Sequence, residues 1–215
     1  MHAADWNRID ILCVIRDAQG RPVTNMTKDR VQLLAAGEPR RILEFSRATD
    51  QPQIETIALG PTLYQDAYQA IMRKFSDSTR RKILVIKAPQ MAVTLTTERR
   101  WELVFMAQRR GVVIYVDRGA ADLAGSALAA LAEETGGRVV ASERDIQADL
   151  AAQYHIVAEP PPHDPGTGAY NTLEVRAAES RGAVRLDGAA VSRGAGLFVQ
   201  APHNFYITPP WEPQP

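Results

Sequence analysis

The strongest constraint on the fold is that the sequence pattern changes character twice along the chain. Between residues 61 and 152, short continuous apolar runs such as Ile83–Ile86 and Val112–Val116 alternate with segments whose apolar residues have helical spacing. Continuous apolar runs are typical of parallel strands covered on both faces, and alternation of strand and helix implies right-handed crossovers. The central block therefore predicts an α/β domain with a parallel, doubly wound sheet.

Both ends of the chain show strand patterns only. These lie at 9–16, 31–35 and 42–45, and again at 154–158, 171–177 and 183–186. Because so few short strands are unstable alone, we expect the two ends to combine in one β-sandwich. The predicted organisation is a β-sandwich module of residues 9–48 and 153–193, an α/β domain of residues 54–152, and a Pro- and aromatic-rich tail of residues 194–215.

Finer patterns predict individual elements. Thr62 is the predicted N-cap of a helix that continues to Phe75, residues 123–134 are predicted to form a helix, and residues 37–39 a turn. Ile54–Leu59, or a partner protein, is predicted to cover an edge or face of the parallel sheet. In the helix over residues 97–110, apolar spacing predicts a buried face made of Trp101, Val104, Phe105 and Gln108.

Composition excludes several function classes. Lys+Arg and Asp+Glu number 25 each, so no overall positive charge attracts nucleic acid. The single cysteine, Cys13, lies in an apolar run and is interpreted as a small buried hydrophobe, with a reactive thiol as the alternative. No Cys/His spacing fits a zinc site, and no cofactor is expected. With no signal-peptide or membrane-spanning pattern, we expect a cytoplasmic protein, or a periplasmic one if the chain is a processed form.

Several motifs together resemble the von Willebrand A-related domain proteins of the acidobacterial type. Residues 11–45 read ILCVIRDAQGRPVTNMTKDRVQLLAAGEPRRILEF, with Met26 and Arg30 where that family usually has leucine and phenylalanine. Residues 60–71 read GPTLYQDAYQAI, residues 128–140 LAALAEETGGRVV, and residues 145–162 DIQADLAAQYHIVAEPPP. The resemblance covers most of the chain and implies a von Willebrand A-like α/β domain carried on a β-rich module.

The resemblance also implies a metal site that this chain has lost. The family's Asp-x-Ser-x-Ser motif, which supplies oxygen ligands to Mg²⁺, does not occur in the sequence. The family's later Ser-Asp-Gly is replaced by Lys87-Ala88-Pro89, and Thr62 remains, with Asp66 near it. We therefore expect a truncated domain without a metal ion.

The predicted function is a non-catalytic, metal-independent protein–protein interaction module, an extrinsic or scaffolding subunit of a larger assembly. The alternative is a ligand- or metal-sensing A-type binding domain. No catalytic residues are predicted, since His2, His155, His163 and His203 are scattered and none accompanies a nucleophile motif. The expected partners are other protein subunits, including those of a membrane-associated complex, and neither nucleic acid nor a small-molecule substrate.

Two groups of residues are the candidate partner-binding sites. In the tail, fixed-φ prolines accompany aromatic side chains, which indicates a docking element, with a disordered linker remnant as the alternative. Removing the chain after Ala201 is predicted to leave the melting temperature nearly unchanged and to weaken recovery of a partner. Arginines bracket the helix over residues 97–110 and form either a solvated helix periphery or a basic patch that docks on an acidic protein or anionic membrane. The candidate residues are Phe205, Tyr206, Trp211, Arg99, Arg100, Arg109 and Arg110.

Overall fold

The computed structural model describes residues 8–75, 80–88, 95–119, 121–162, 169–179, 182–184 and 197–207. Its strands are β1 (Ile9–Arg16), β2 (Val31–Ala35), β3 (Glu38–Arg40), β4 (Ile42–Arg47), β5 (Gln53–Ala58), β6 (Lys82–Lys87), β7 (Val112–Asp117), β8 (Val139–Val140), β9 (Tyr154–Ala158), β10 (Ala169–Glu179), β11 (Gly182–Val184), β12 (Phe198–Gln200) and β13 (Asn204–Ile207). Its helices are α1 (Leu63–Gln69), α2 (Thr97–Arg110), α3 (Ala127–Glu134) and α4 (Glu143–Ala152), with a 3-10 helix at Lys28–Arg30 and a π-helix at Ala70–Lys74.

The fold is mixed α/β, and the chain forms two compact units. The α/β unit comprises residues 50–147. The β unit comprises the described residues before 50 and after 147. The change from one unit to the other at residue 147 falls inside α4.

The sheet of the α/β unit is parallel, with strand order β5-β6-β7-β8. One hydrophobic cluster joins alternate residues of β6 and β7 to the inner faces of the three crossover helices. A strand order that advances in one direction with right-handed crossovers places those helices on one face. The doubly wound prediction is therefore corrected: the described strands form a singly wound sheet. The cluster includes Leu63, Ala67, Leu84, Ile86, Leu103, Val104, Ile114, Leu128 and Leu131.

Local sequence signals define the helix ends of this unit. The Thr96 side chain accepts a hydrogen bond from the backbone N–H of Arg99 (3.4 Å), and α2 ends at Gly111, whose φ of 65° is left-handed. At α4, the Asp145 carboxylate accepts hydrogen bonds from both the backbone N–H and the hydroxyl of Ser142, each 3.1 Å long. The bond from the Ser142 N–H is one half of a capping box, so the Asp145 side chain fixes the start of α4.

The β unit contains two antiparallel sheets, and each combines strands from both chain ends. One sheet has the order β12-β1-β9-β4, and the other contains β11-β10-β2-β3 with β13 also paired to β10. The pairings confirm that the two chain ends share sheets. Residues of both sheets belong to a single hydrophobic cluster, among them Ile11, Leu33, Ile156 and Val175.

Tyr154 stands at the centre of that cluster. Its ring stacks on Phe45 with centroids 4.9 Å apart. Its hydroxyl accepts a hydrogen bond from the backbone N–H of Met26 (2.9 Å) and donates one to the carbonyl of Val23 (3.1 Å). One buried side chain thus holds the turn-rich segment before β2 against β9.

Several predicted elements differ from the observed ones. The turn before β3 is formed by Ala36 and Gly37, with φ of 53° and 79°, so Glu38 already begins a strand. The predicted helix 123–134 begins only at Ala127, because Ser126 is its capping residue. The position of Thr62 as the N-cap residue of α1 is confirmed, although its side chain makes no capping hydrogen bond.

The tail prediction also needs correction. Residues 198–200 and 204–207 are strands β12 and β13, paired with β1 and β10. Their alternation is too short to recognise beside the prolines and glycines that flank them. Part of the predicted tail therefore belongs to the β unit, and removal of the chain after Ala201 would delete a paired strand.

Candidate interaction surface

Aromatic and arginine side chains lie at the periphery of α1 and α2 in the α/β unit, where Arg99 and Trp101 are exposed and Tyr64, Tyr68 and Arg100 are half-buried. We call the set Tyr64, Tyr68, Arg99, Arg100 and Trp101 the aromatic–arginine surface. Amphipathic spacing in the two helices directs Leu63 and Val104 into the core and leaves these neighbours at the periphery. Trp101 is 46% exposed, the largest exposure among the large hydrophobic residues that the structure describes.

The buried face predicted for α2 is wrong at Trp101. The helix buries Leu103, Val104, Ala107 and Gln108. The pair at positions 103 and 107 has i, i+4 spacing and was the signal that could have placed the apolar stripe correctly. Trp101 falls outside this stripe, so the sequence prediction treated an exposed aromatic residue as part of the core.

The arginines and aromatic rings of the surface are in contact. The guanidinium carbon of Arg99 lies 5.1 Å from the centre of the Tyr64 ring, and that of Arg100 lies 4.8 Å from the centre of the Trp101 ring. The rings of Tyr64 and Tyr68 are 6.2 Å apart and tilted by 35°. Cation–π contacts of this kind hold exposed rings in fixed orientations and reduce the side-chain entropy lost when a partner binds.

Ion pairs and hydrogen bonds with neighbouring residues fix side chains of the aromatic–arginine surface. Arg100 forms an ion pair with Glu134 of α3, and both side chains are largely buried, at 14% and 17% exposure. The backbone carbonyl of Glu134 accepts a hydrogen bond from Gln108 (2.7 Å). A hydrogen bond to the Glu102 carboxylate, followed by burial, raises the pKa of Tyr64 to about 12.

The other basic residues near α2 have structural contacts. Arg81 is buried and pairs with Asp50 through Nε (2.9 Å). Lys82 is also buried, and its Nζ donates to the carbonyl of Arg110 (3.1 Å). Arg109 and Arg110 are half-buried, whereas Arg99 is exposed. Of the four arginines predicted to bind a partner, Arg99 and Arg100 contact the aromatic rings, and Arg99 is the most accessible.

The edge of the sheet where the resemblance predicts a lost metal site has different chemistry. The Thr62 hydroxyl donates to Asp66 Oδ2 at 2.7 Å. Lys87 is exposed, with Nζ 4.0 Å from a Glu143 carboxylate oxygen, and Asp117 Oδ1 accepts from the Gly119 N–H (3.2 Å). Within the described ranges, no group of three or more His, Cys, Asp or Glu residues is placed to hold a metal ion.

The remaining chemically reactive groups have partners or are buried. His155 Nε2 lies 3.0 Å from Asp10 Oδ1, and Asp10 also pairs with Arg8 (2.9 Å). Cys13 is buried, and burial raises the pKa of its thiol to about 12, which keeps it in the unreactive thiol form. The backbone carbonyl of His203 accepts a hydrogen bond from the backbone N–H of Leu173. His2 and His163 lie outside the described residues.

The β unit also has an open cleft of about 730 Å³ beside β3 and β4. Its cations already have partners in this chain: Lys28 donates to the Leu43 carbonyl (3.2 Å), Arg40 to Glu38 (2.8 Å), and Arg41 to Glu159. Small-molecule sites usually present polar groups that converge on the ligand. This cleft is therefore the weaker candidate site.

The aromatic residues of the tail that were predicted to bind a partner lie partly in a strand and partly outside the described residues. Phe205 and Tyr206 belong to β13, where they pair with Asn171 and Tyr170 of β10. Trp211 lies outside the described residues. The strand assignment fixes the backbone positions of Phe205 and Tyr206 and leaves their partner-binding role a prediction.

Comparison with family models, curated proteins and solved structures finds no match to this chain. Among the described residues, no helix has the length and apolar character needed to cross a membrane.

Proposed function

We propose that this protein is a non-catalytic, metal-independent interaction module that binds another protein through the aromatic–arginine surface of α1 and α2. The single observation that carries the proposal is the exposed Trp101, whose ring contacts the guanidinium of Arg100. Trp, Tyr and Arg are the residue types that contribute most to binding energy at protein interfaces.

The composition of the surface favours a protein partner with carboxylates at its rim. Arg99 is exposed and its charge lies over a neutral ring, so it can also pair with an acidic side chain of the partner. The Tyr64 hydroxyl is hydrogen-bonded to the Glu102 carboxylate. Arg100, which forms an ion pair with Glu134, contacts the indole ring of Trp101 through its guanidinium group. The proposed partner site is therefore apolar at its centre and acidic beside Arg99.

The finer classification that we propose is a truncated von Willebrand A-like domain. The motifs quoted above support it, together with the parallel sheet of the α/β unit. Loss of the Asp-x-Ser-x-Ser ligands and the exposed Lys87 support a binding mode without a metal ion. In this proposal the protein serves as an extrinsic or scaffolding subunit.

The test compares two exposed hydrophobic residues. Trp101→Ala is expected to lower recovery of the specific partner by at least about tenfold, the change for a binding loss near 1.4 kcal/mol. Leu43→Ala is the matched control, since Leu43 is 40% exposed in the β unit and Trp101 46% exposed. Unchanged melting temperatures would show that both variants are folded. Equal partner recovery by the wild-type protein and Trp101→Ala would contradict the proposal.

A second test concerns the metal ion. A ligand that binds the native state raises the melting temperature by mass action. Addition of millimolar Mg²⁺ or Ca²⁺ is expected to leave the melting temperature unchanged. A rise that disappears in Thr62→Ala would favour the sensing alternative.

A further inference from the structure

Among the described strands, none pairs with the outer edge of β5. The backbone N–H of Gln53 donates to Arg81 and that of Leu59 to Lys87, so odd-numbered residues face β6. Because hydrogen-bonding direction alternates along a strand, the N–H and C=O groups of Ile54, Thr56 and Ala58 face away from β6. In the strand order of the described sheet, β5 has β6 as its one neighbour.

The side chains of the same three residues are exposed. Ile54 is 40% exposed, and Thr56 and Ala58 are exposed as well. Ile57, on the other face of the strand, packs against the core cluster below the helices. The outer edge thus combines open backbone groups with an accessible, largely apolar face.

Other outer strands of the described sheets are short or interrupted. β8 has two residues, β3 has three and contains Pro39, and β11 and β12 have three each. β4 has six residues, but its register with β9 shifts between Ile42 and Glu44, and Lys28 donates to its Leu43 carbonyl. Proteins protect strand edges by these means. β5 has six residues, no lysine, no proline and no bulge in its pairing.

We propose that β5 pairs with β5 of a second copy of this chain, antiparallel and about a two-fold axis at Thr56. This register places Ile54 opposite Ala58 of the second copy, Thr56 opposite Thr56, and Ala58 opposite Ile54. All three positions present outward backbone groups, so each is a hydrogen-bonded pair that exchanges two bonds. The two parallel sheets become one continuous sheet.

The sequence of β5 selects this register. A shift of the axis to Glu55 places two like charges directly opposite each other, which is destabilising. With the axis at Thr56, Glu55 lies opposite Ile57, and two threonines meet at the axis, a favourable cross-strand pair. Pro52 lacks the N–H that would continue the ladder, and Gly60-Pro61 follows the other end. The pairing is therefore limited to β5.

The experiment measures the oligomeric state of the full chain by analytical ultracentrifugation over a range of concentrations. The wild-type protein is expected to dimerise. Thr56→Lys and Thr56→Glu each place like charges at the axis and are expected to raise the dimer dissociation constant at least about tenfold. A mixture of these two variants should form a heterodimer, because opposite charges then meet. Gln65→Lys, an exposed position of α1, is the control and should dimerise like the wild type.

Thr56→Pro provides a second variant that keeps the contacts with β6. The N–H of Thr56 faces outward, so proline removes the dimer bond and leaves the ladder to β6 in place. Amide hydrogen exchange at Ile54, Thr56 and Ala58 should be slow in the wild-type dimer and fast in Thr56→Lys. A wild-type chain that is monomeric at every concentration would overturn the proposal. So would a dimer that Thr56→Lys, Thr56→Glu and Thr56→Pro leave unchanged.

Discussion

The contacts that stabilise the two units join residues at different separations along the sequence. In the β unit, Arg16 pairs with Asp149, 133 residues away, and Met26 bonds to Tyr154 across 128 residues. In the α/β unit, Arg100 reaches Glu134 across 34 residues and Ile114 reaches Thr135 across 21. Closing a long loop costs more conformational entropy and slows folding. The β unit therefore depends on contacts that form only when both chain ends are present, whereas successive crossovers assemble the α/β unit.

The units also differ in their outer surfaces. The α/β unit carries the aromatic–arginine surface and the open edge of β5, whereas the outer strand β4 of the β unit is interrupted by a register shift. The proposed binding surface therefore belongs to the α/β unit.

The largest expected effect tests how tightly the α/β unit is packed. A Cβ atom at Gly137 would lie 1.8 Å from the backbone oxygen of Ile114, so Gly137→Ala forces β7 to move. We expect a loss of unfolding free energy on the order of 4 kcal/mol, measured by urea denaturation. Gly60→Ala is the control, since nothing lies within 4 Å of that position, and should change stability by no more than about 0.5 kcal/mol. Equal effects of the two substitutions would contradict the close packing of Gly137 on β7.

A smaller effect tests the long-range contact at the centre of the β unit. Tyr154→Phe removes the hydroxyl and leaves the N–H of Met26 and the carbonyl of Val23 without their partner. The expected cost is about 1–3 kcal/mol, because buried polar groups lose their hydrogen bonds.

The Cys13 thiol reports on the same unit. It is buried, with a pKa raised to about 12, so a disulfide reagent reaches it only when the β unit opens. Tyr154→Phe should increase the labelling rate about tenfold if it costs 1.4 kcal/mol. A labelling rate equal to that of the wild type would show that the hydroxyl contributes nothing to the closure of the β unit.

The type of each secondary-structure element could be predicted from the sequence more readily than the pairing of the strands. Continuous apolar runs predicted β6 and β7, and the apolar spacing with Gly111 predicted the bounds of α2, because these signals are local. Strands β12 and β13 were missed, since each is short and their pairing with β1 and β10 depends on residues far along the chain. The exposed position of Trp101 was missed because two apolar stripes fit α2, and packing against α1 and α3 decides between them.

The smallest expected effect sharpens the description of the proposed binding surface. The hydrogen bond to Glu102 raises the pKa of Tyr64 above its ordinary value to about 12. A raised folded-state pKa favours the neutral tyrosine, so this contribution to stability is present below the ordinary tyrosine pKa of about 10 and is lost as pH rises through about 12. In Glu102→Gln, ultraviolet titration should show Tyr64 ionising at lower pH. Tyr64→Phe identifies its contribution to the curve, and an unchanged titration in Glu102→Gln would rule out the hydrogen bond as the cause.

Site-specific photo-crosslinking is the most direct test of binding through the α/β unit. A benzophenone amino acid is placed at position 101 in one variant and at position 43 in another, two exposed positions in different units. The proposed function predicts that the partner protein crosslinks to position 101 and that position 43 gives none. A crosslink from position 43 with none from position 101 would contradict it and move the binding surface to the β unit.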